Sequence, residues 1–181
     1  MTIQTGDNTF STVKFIVDPI AGKGTHTTIG AAIADASSGG NIFIRPGTYT
    51  EDLVLSDGIK LGAFAGSEKV SASDVTIVGK ITMPNAGNVT ISNVIIKTNG
   101  DFFLELTTAA LKLIIFENCF LDCVDNTGIS INSSTSLVQI NNCRGDIRQA
   151  GLAIFAPLTV ASLSFSNSSF VNIPSPKDEG F

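Results

Sequence analysis

The chain carries little charge and little chemistry that titrates near neutrality. It has no tryptophan, one histidine, one tyrosine and three cysteines, and only 15% of its residues are charged. An average domain has about 25%. One histidine without CxxC or HxxxH spacing gives no zinc site, and no metal or cofactor is expected. Cys119, Cys123 and Cys143 are odd in number, so they form no disulfide framework and read as small apolar fillers. A net charge of −5 leaves no basic footprint for nucleic acid or an anionic membrane. No apolar run reaches the length of a membrane span, and the polar N-terminus shows no secretory signal.

What the chain does have is a phrase written four times. It reads apolar-x-apolar-x-Asn-small, and its asparagines are Asn93, Asn118, Asn142 and Asn167, spaced by 25, 24 and 25 residues. A period of this size marks a solenoid. Each repeat holds an alternating strand, an Asn where a tight turn needs a left-handed residue, and a second alternating run. Further strands are expected at Phe102–Leu106, Ile129–Ile131 and Leu152–Phe155, so each coil has room for three. Five to six coils at the ordinary strand spacing give a stub about 25–30 Å long.

Ahead of the repeats, residues 1–12 read as an arm, and a strand ends at Asp18-Pro19. The Gly-Lys-Gly turn at 22–24 lacks the spacing of a phosphate-binding loop. A helix is expected over about 28–37, capped by Thr25 or Thr27, with His26 solvated or capping near its start. There follows Gly-Gly-Asn-Ile-Phe-Ile-Arg-Pro-Gly-Thr-Tyr-Thr-Glu-Asp-Leu, from Gly39 to Leu53. With the helix before it, this run resembles the opening of pectin-lyase-like right-handed parallel β-helix proteins. The resemblance implies an all-β, single-stranded solenoid with three strands per coil and a short helix capping its N-terminal end. The opening is also similar to β-helix proteins of bacteriophages and prophages. The β-helix domain is expected over 13–172, followed by an exit or linker at 173–181.

Placing Asn at the turn puts four columns inside: Val89/Ile114/Val138/Leu163, Ile91/Phe116/Ile140/Phe165, Val94/Cys119/Cys143/Ser168 and Ile96/Leu121/Gly145/Phe170. The asparagines themselves are expected to form an internal ladder of amides bonded along the axis. Cys119 and Cys143 become neighbours in adjacent coils; a disulfide is permitted there, but two thiols are expected. Outside, the column Lys97, Asp122, Asp146, Val171 brings two carboxylates about 5 Å apart, with Arg144 close by. Such a pair could act as glycosidase acid and nucleophile, could hold calcium, or could be a surface cluster neutralised by Arg144. Compared with the superfamily's enzymes, the chain lacks the lyase-like aspartate cluster with a following Arg and the hydrolase-like Asp-Asp pair.

Three functions follow as expectations. The first is a non-catalytic structural or host-surface-recognition module of a phage or prophage particle, from a tail fibre, spike or tail-associated protein. It would sit in the virion, or in host cytoplasm during assembly, among other virion proteins and as a homo-oligomer, with a trimer favoured because an exposed last rung invites pairing. The second is a polysaccharide lyase or glycosidase using Asp122 and Asp146. The third is a carbohydrate-binding module.

Overall fold

The computed structural model describes residues 14–63, 74–83, 87–97, 102–106, 112–123, 128–131, 136–148, 153–155 and 162–173. The arm expected at 1–12 lies outside the described residues. So does the expected exit segment, except Ile173, which is in the last strand.

Strand β1 (Lys14–Val17) and helix α1 (Ile29–Ala36) come first. The coils follow as β2 (Asn41–Ile44), β3 (Gly47–Thr50), β4 (Leu53–Val54); β5 (Lys60–Ala63), β6 (Val75–Val78), β7 (Ile81–Met83); β8 (Gly87–Ser92), β9 (Ile95–Lys97), β10 (Phe102–Leu106); β11 (Lys112–Glu117), β12 (Phe120–Cys123), β13 (Gly128–Ile131); β14 (Ser136–Asn141), β15 (Arg144–Arg148), β16 (Ala153–Phe155); and β17 (Ser162–Ser166) with β18 (Ser169–Ile173). Each strand pairs in parallel with its counterpart one coil away. This makes three sheets, running β1-β2-β5-β8-β11-β14-β17, β3-β6-β9-β12-β15-β18 and β4-β7-β10-β13-β16. The architecture is a right-handed parallel β-helix, with one short helix among the described residues.

The alternation of the sequence explains the stacking. Ile114 pairs with Val89 and Val138, and Phe116 with Ile91 and Ile140. All six are buried, and with Ile96, Leu121, Cys119 and Cys143 they continue one core along the axis. At about 25 cal/mol per Å² of apolar surface, these columns are the main stabilising term. The expected inward register is the observed one through β8, β11 and β14 and the residues that follow them. In the next coil Phe165 is 46% exposed and Ser168 half-buried, and the side chains of Leu163 and Phe170 lie outside what is described.

Asn93, Asn118, Asn142 and Asn167 sit at the corners with φ of 57°, 53°, 51° and 48°. Side chains with a Cβ resist this region, and Asn tolerates it better than most. The stacking there runs through the backbone: the N–H of Asn93 donates to Glu117 O at 3.0 Å, that of Asn118 to Asn141 O at 3.0 Å, and that of Asn142 to Ser166 O at 2.8 Å. The expectation of a buried amide ladder is corrected. Asn118, Asn142 and Asn167 are exposed, and no side-chain amide bond joins the four asparagines among the described residues.

Helix α1 buries Ile29, Ala32 and Ile33 against the first rung. Its cap is Thr28, not Thr25 or Thr27; the Thr28 hydroxyl accepts from Ala31 N at 3.3 Å. A second cap arrives from far along the chain. The carboxylate of Glu51 accepts from Ile29 N and Gly30 N, each at 2.8 Å. Two free N–H groups and the positive end of the helix are thereby satisfied at once. Glu51 closes the Pro-Gly-Thr-Tyr-Thr-Glu phrase, so that motif is a clamp between the capping helix and the first coil.

Candidate functional site

The outward face of the second sheet carries the residues singled out by chemistry. One column runs Thr50, Val78, Lys97, Asp122, Asp146, Val171, and the next Thr48, Thr76, Ile95, Phe120, Arg144, Ser169. The expected adjacency of Asp122 and Asp146 is therefore present in the backbone, where they pair across β12 and β15. The side chain of Asp146 lies outside what is described.

Asp122 is engaged from the opposite side to the one expected. Lys97 Nζ stands 3.5 Å from Asp122 Oδ2, while Arg144 one coil further on is exposed. The reading in which Arg144 neutralises both aspartates is corrected at Asp122, whose partner is Lys97; the Asp146 half of that reading lies outside what is described. The Lys97–Asp122 pairing was readable from the column itself, since Lys97 directly precedes Asp122 in it. The pair is partly sheltered, with 18% of the Asp122 side chain and 48% of the Lys97 side chain exposed. Oδ1 of Asp122 is buried and has no hydrogen-bond partner among the described residues. Around it, half-buried Ile95 and Phe120 and the exposed cations Lys97 and Arg144 place apolar and hydrogen-bond-donating groups side by side on this sheet. No group of three or more potential metal ligands occurs among the described residues.

At the N-terminal end, other side chains converge on work that is structural. Asp18 accepts from Ile20 N at 2.9 Å and faces Arg45 Nε at 3.3 Å. The hydroxyl of buried Tyr49 donates to Arg45 O at 2.9 Å. Burial, with the negative charges of Asp18 and Glu51, pushes this phenol up to about 12. His26 is bound rather than solvated: Nε2 contacts Asp35 Oδ2 at 2.9 Å, Nδ1 contacts Thr25 Oγ1 at 2.9 Å, and its ring is tilted against Phe15. Asp52 and Asp57 accept from Lys80 N and Asn88 N of the next coil, each at 2.8 Å. These carboxylates cap backbone N–H groups where the sheets turn, a role that an excess of acidic residues suits. A groove of about 440 Å³ lined by Phe15, Ala36 and Gly40, and a smaller one beside Glu51 and Asp52, lie at this end, away from Asp122.

No protein-family model matches the chain, and no curated protein is significantly similar to it. Among solved structures it is similar to a pectin methylesterase from Aspergillus niger, at 13% identity and a TM-score of 0.41, with 91% of this chain covering 86% of that one. It is likewise similar to a mutant pectin methylesterase solved with a hexasaccharide, at 15% identity and a TM-score of 0.40, covering 86% of this chain and 66% of that one. At such identities the likeness is one of fold. The class that the strand order defines is a parallel β-helix.

Proposed function

We propose that this β-helix is a non-catalytic recognition module of a phage or prophage particle that binds an extended surface polysaccharide along its second sheet. The observation that carries the binding half is the Lys97–Asp122 pair. Lys97 holds Asp122 Oδ2 at 3.5 Å and Oδ1 is buried, so neither oxygen stands open to attack a substrate, while the half-exposed Lys97 ammonium offers donors to sugar hydroxyls. Phe120 and Ile95 beside it supply apolar contact for the faces of sugar rings. The particle context is supported by the resemblance of the opening to phage β-helix proteins. Assembly as a trimer is part of the same proposal; among the described strands the first two sheets end on β17 and β18, and edges of this kind pair readily. The test is a panel of bacterial and plant polysaccharides scored for both retention and reducing-end or methanol release. Retention without release, weakened by Asp122→Ala, is expected. Absence of retention on every glycan overturns the reading.

A second reading is favoured by one observation, the in-register Asp122 and Asp146 backbones. In it the protein is a polysaccharide lyase or glycosidase, and the same panel shows product release that Asp122→Asn abolishes.

A further inference from the structure

We infer that Cys119 and Cys143 form a redox-responsive staple, a reversible disulfide joining two consecutive coils of the solenoid. Both thiols are free and buried. They immediately precede Phe120 and Arg144, which pair in register between β12 and β15. Arg144 N donates to Cys119 O at 3.0 Å, which fixes the two backbones as adjacent rungs. Neighbouring strands lie about 4.8 Å apart, inside the Cα separation of roughly 4.4–6.8 Å over which a disulfide closes. Both side chains belong to one inward column, so their Cβ atoms lie about 4.8 Å apart, and closing the bond draws them together by a few tenths of an ångström or more, to about 3.5–4.5 Å. The third cysteine, Cys123, lies four residues along the strand from Cys119, about 13 Å away, and pairs with Ile147.

The corner itself does not require sulfur. Ser168, the next member of the column, donates from Oγ to Ile140 O and lies within reach of Ser166 O, each at 3.0 Å. Cys119 Sγ makes the equivalent contacts to Ile91 O at 3.5 Å and Glu117 O at 3.4 Å. A hydroxyl thus does the local hydrogen-bonding work, and what two successive thiols add is the capacity to join. The neighbouring Cys143, and then burial, raise Cys119 well above its ordinary range, while the neighbouring Cys119 lowers Cys143. These directions make Cys143 the attacking thiol and Cys119 the resolving one.

With hydrogen peroxide as oxidant the chemistry balances. The Cys143 thiolate attacks one peroxide oxygen, the O–O bond breaks, and a sulfenic acid forms as the first water leaves. Cys119 sulfur then attacks the Cys143 sulfur, the S–O bond breaks, and the second water leaves with the remaining thiol proton. Two electrons pass from the sulfur pair to peroxide. Cys119 and Cys143 are 3% and 0% exposed, so the reaction requires the corner to open far enough to admit peroxide.

The experiment uses the full chain with Cys123→Ser, which leaves just this pair, treated with hydrogen peroxide under native conditions. Expected are the loss of both titratable thiols, an intact mass lower by two hydrogens, a raised melting temperature, and reversal of all three by a phosphine reductant. Adding Cys143→Ser, a change Ser168 shows the corner accepts, should abolish them; Cys119→Ser is the second control. Two thiols surviving peroxide in the folded protein, oxygen added to one sulfur without joining, or a disulfide formed only after unfolding overturns the inference. Each of these results is independent of whether a polysaccharide is bound.

Discussion

Four corners of the solenoid ask one residue each to adopt a left-handed backbone, and the chain answers every time with Asn. For a residue with a Cβ that conformation costs about 1–2 kcal/mol, which Asn partly escapes and Gly avoids. Because the Asn142 side chain is exposed, the backbone and not the amide carries the stabilisation. Asn142→Ala should destabilise by about 1 kcal/mol while Asn142→Gly stays within about 0.5 kcal/mol of wild type. Chemical denaturation of both variants checks this; equal losses would restore the amide ladder. Tyr49 makes a second test at this scale. Burial pushes its phenol from the ordinary 10.0 up to about 12 in the folded protein, so the folded state favours the neutral form. That stabilisation is complete below pH 10 and is lost as pH rises from 10 to about 12. It amounts to about 2 kcal/mol for a buried group shifted by this much. Tyr49→Phe should be less stable than wild type by about 1 kcal/mol at pH 8, from the lost bond to Arg45 O. The gap should close and then reverse in urea titrations carried to pH 12.

Among the elements, the helix and the first coil are held together by a side chain and not by chain proximity. Glu51 is 21 and 22 residues from the N–H groups it binds. Glu51→Ala should therefore cost about 2 kcal/mol, more than an ordinary cap, because both donors lose a charged acceptor. The same contact decides the effect of Gly30→Ala. Replacing a helical Gly by Ala gains about 1 kcal/mol, but here the added Cβ would stand 3.1 Å from Glu51 Oε2. The gain should vanish in the wild-type background and return in Glu51→Ala, a coupling that a double-mutant cycle in thermal unfolding measures. These elements also mark where sequence reading succeeds. Strand positions, inward columns and the Asp122–Asp146 adjacency were legible, because period-2 alternation inside a period of 24 or 25 leaves one register that buries the apolar set. The Glu51 clamp was not, since a contact spanning more than 20 residues leaves no local periodicity, and the Thr28 cap was not, since Thr25, Thr27 and Thr28 offer the same capping hydroxyl within one turn. The Lys97–Asp122 pair was half legible: the column predicted the neighbours, while the choice between Lys97 and Arg144 depends on side-chain reach.

For the whole molecule, stability in a stack is the sum of each coil's own terms and its two interfaces. β11 has both, pairing with β8 on one side and β14 on the other, whereas β17 pairs with β14 alone among the described strands. The same column shows the consequence. Phe116 is fully buried, while Phe165, two coils on, is 46% exposed. Phe116→Ala opens a cavity in the middle of the core and should cost about 3–5 kcal/mol. Phe165→Ala removes a half-exposed ring and should cost about 1–2 kcal/mol. A gradient in amide exchange should accompany this difference, with protection highest through β8, β11 and β14 and lower in β17. Association at that end would reverse the second half of the expectation. A trimer burying the last rung makes Phe165→Ala as costly as Phe116→Ala, gives β17 the protection of the central coils, and lets the melting temperature rise with protein concentration. Sedimentation and hydrogen exchange on the same two variants therefore measure the assembly and the gradient together. The two results must move in step, because one rung cannot be both open to solvent and buried in a partner.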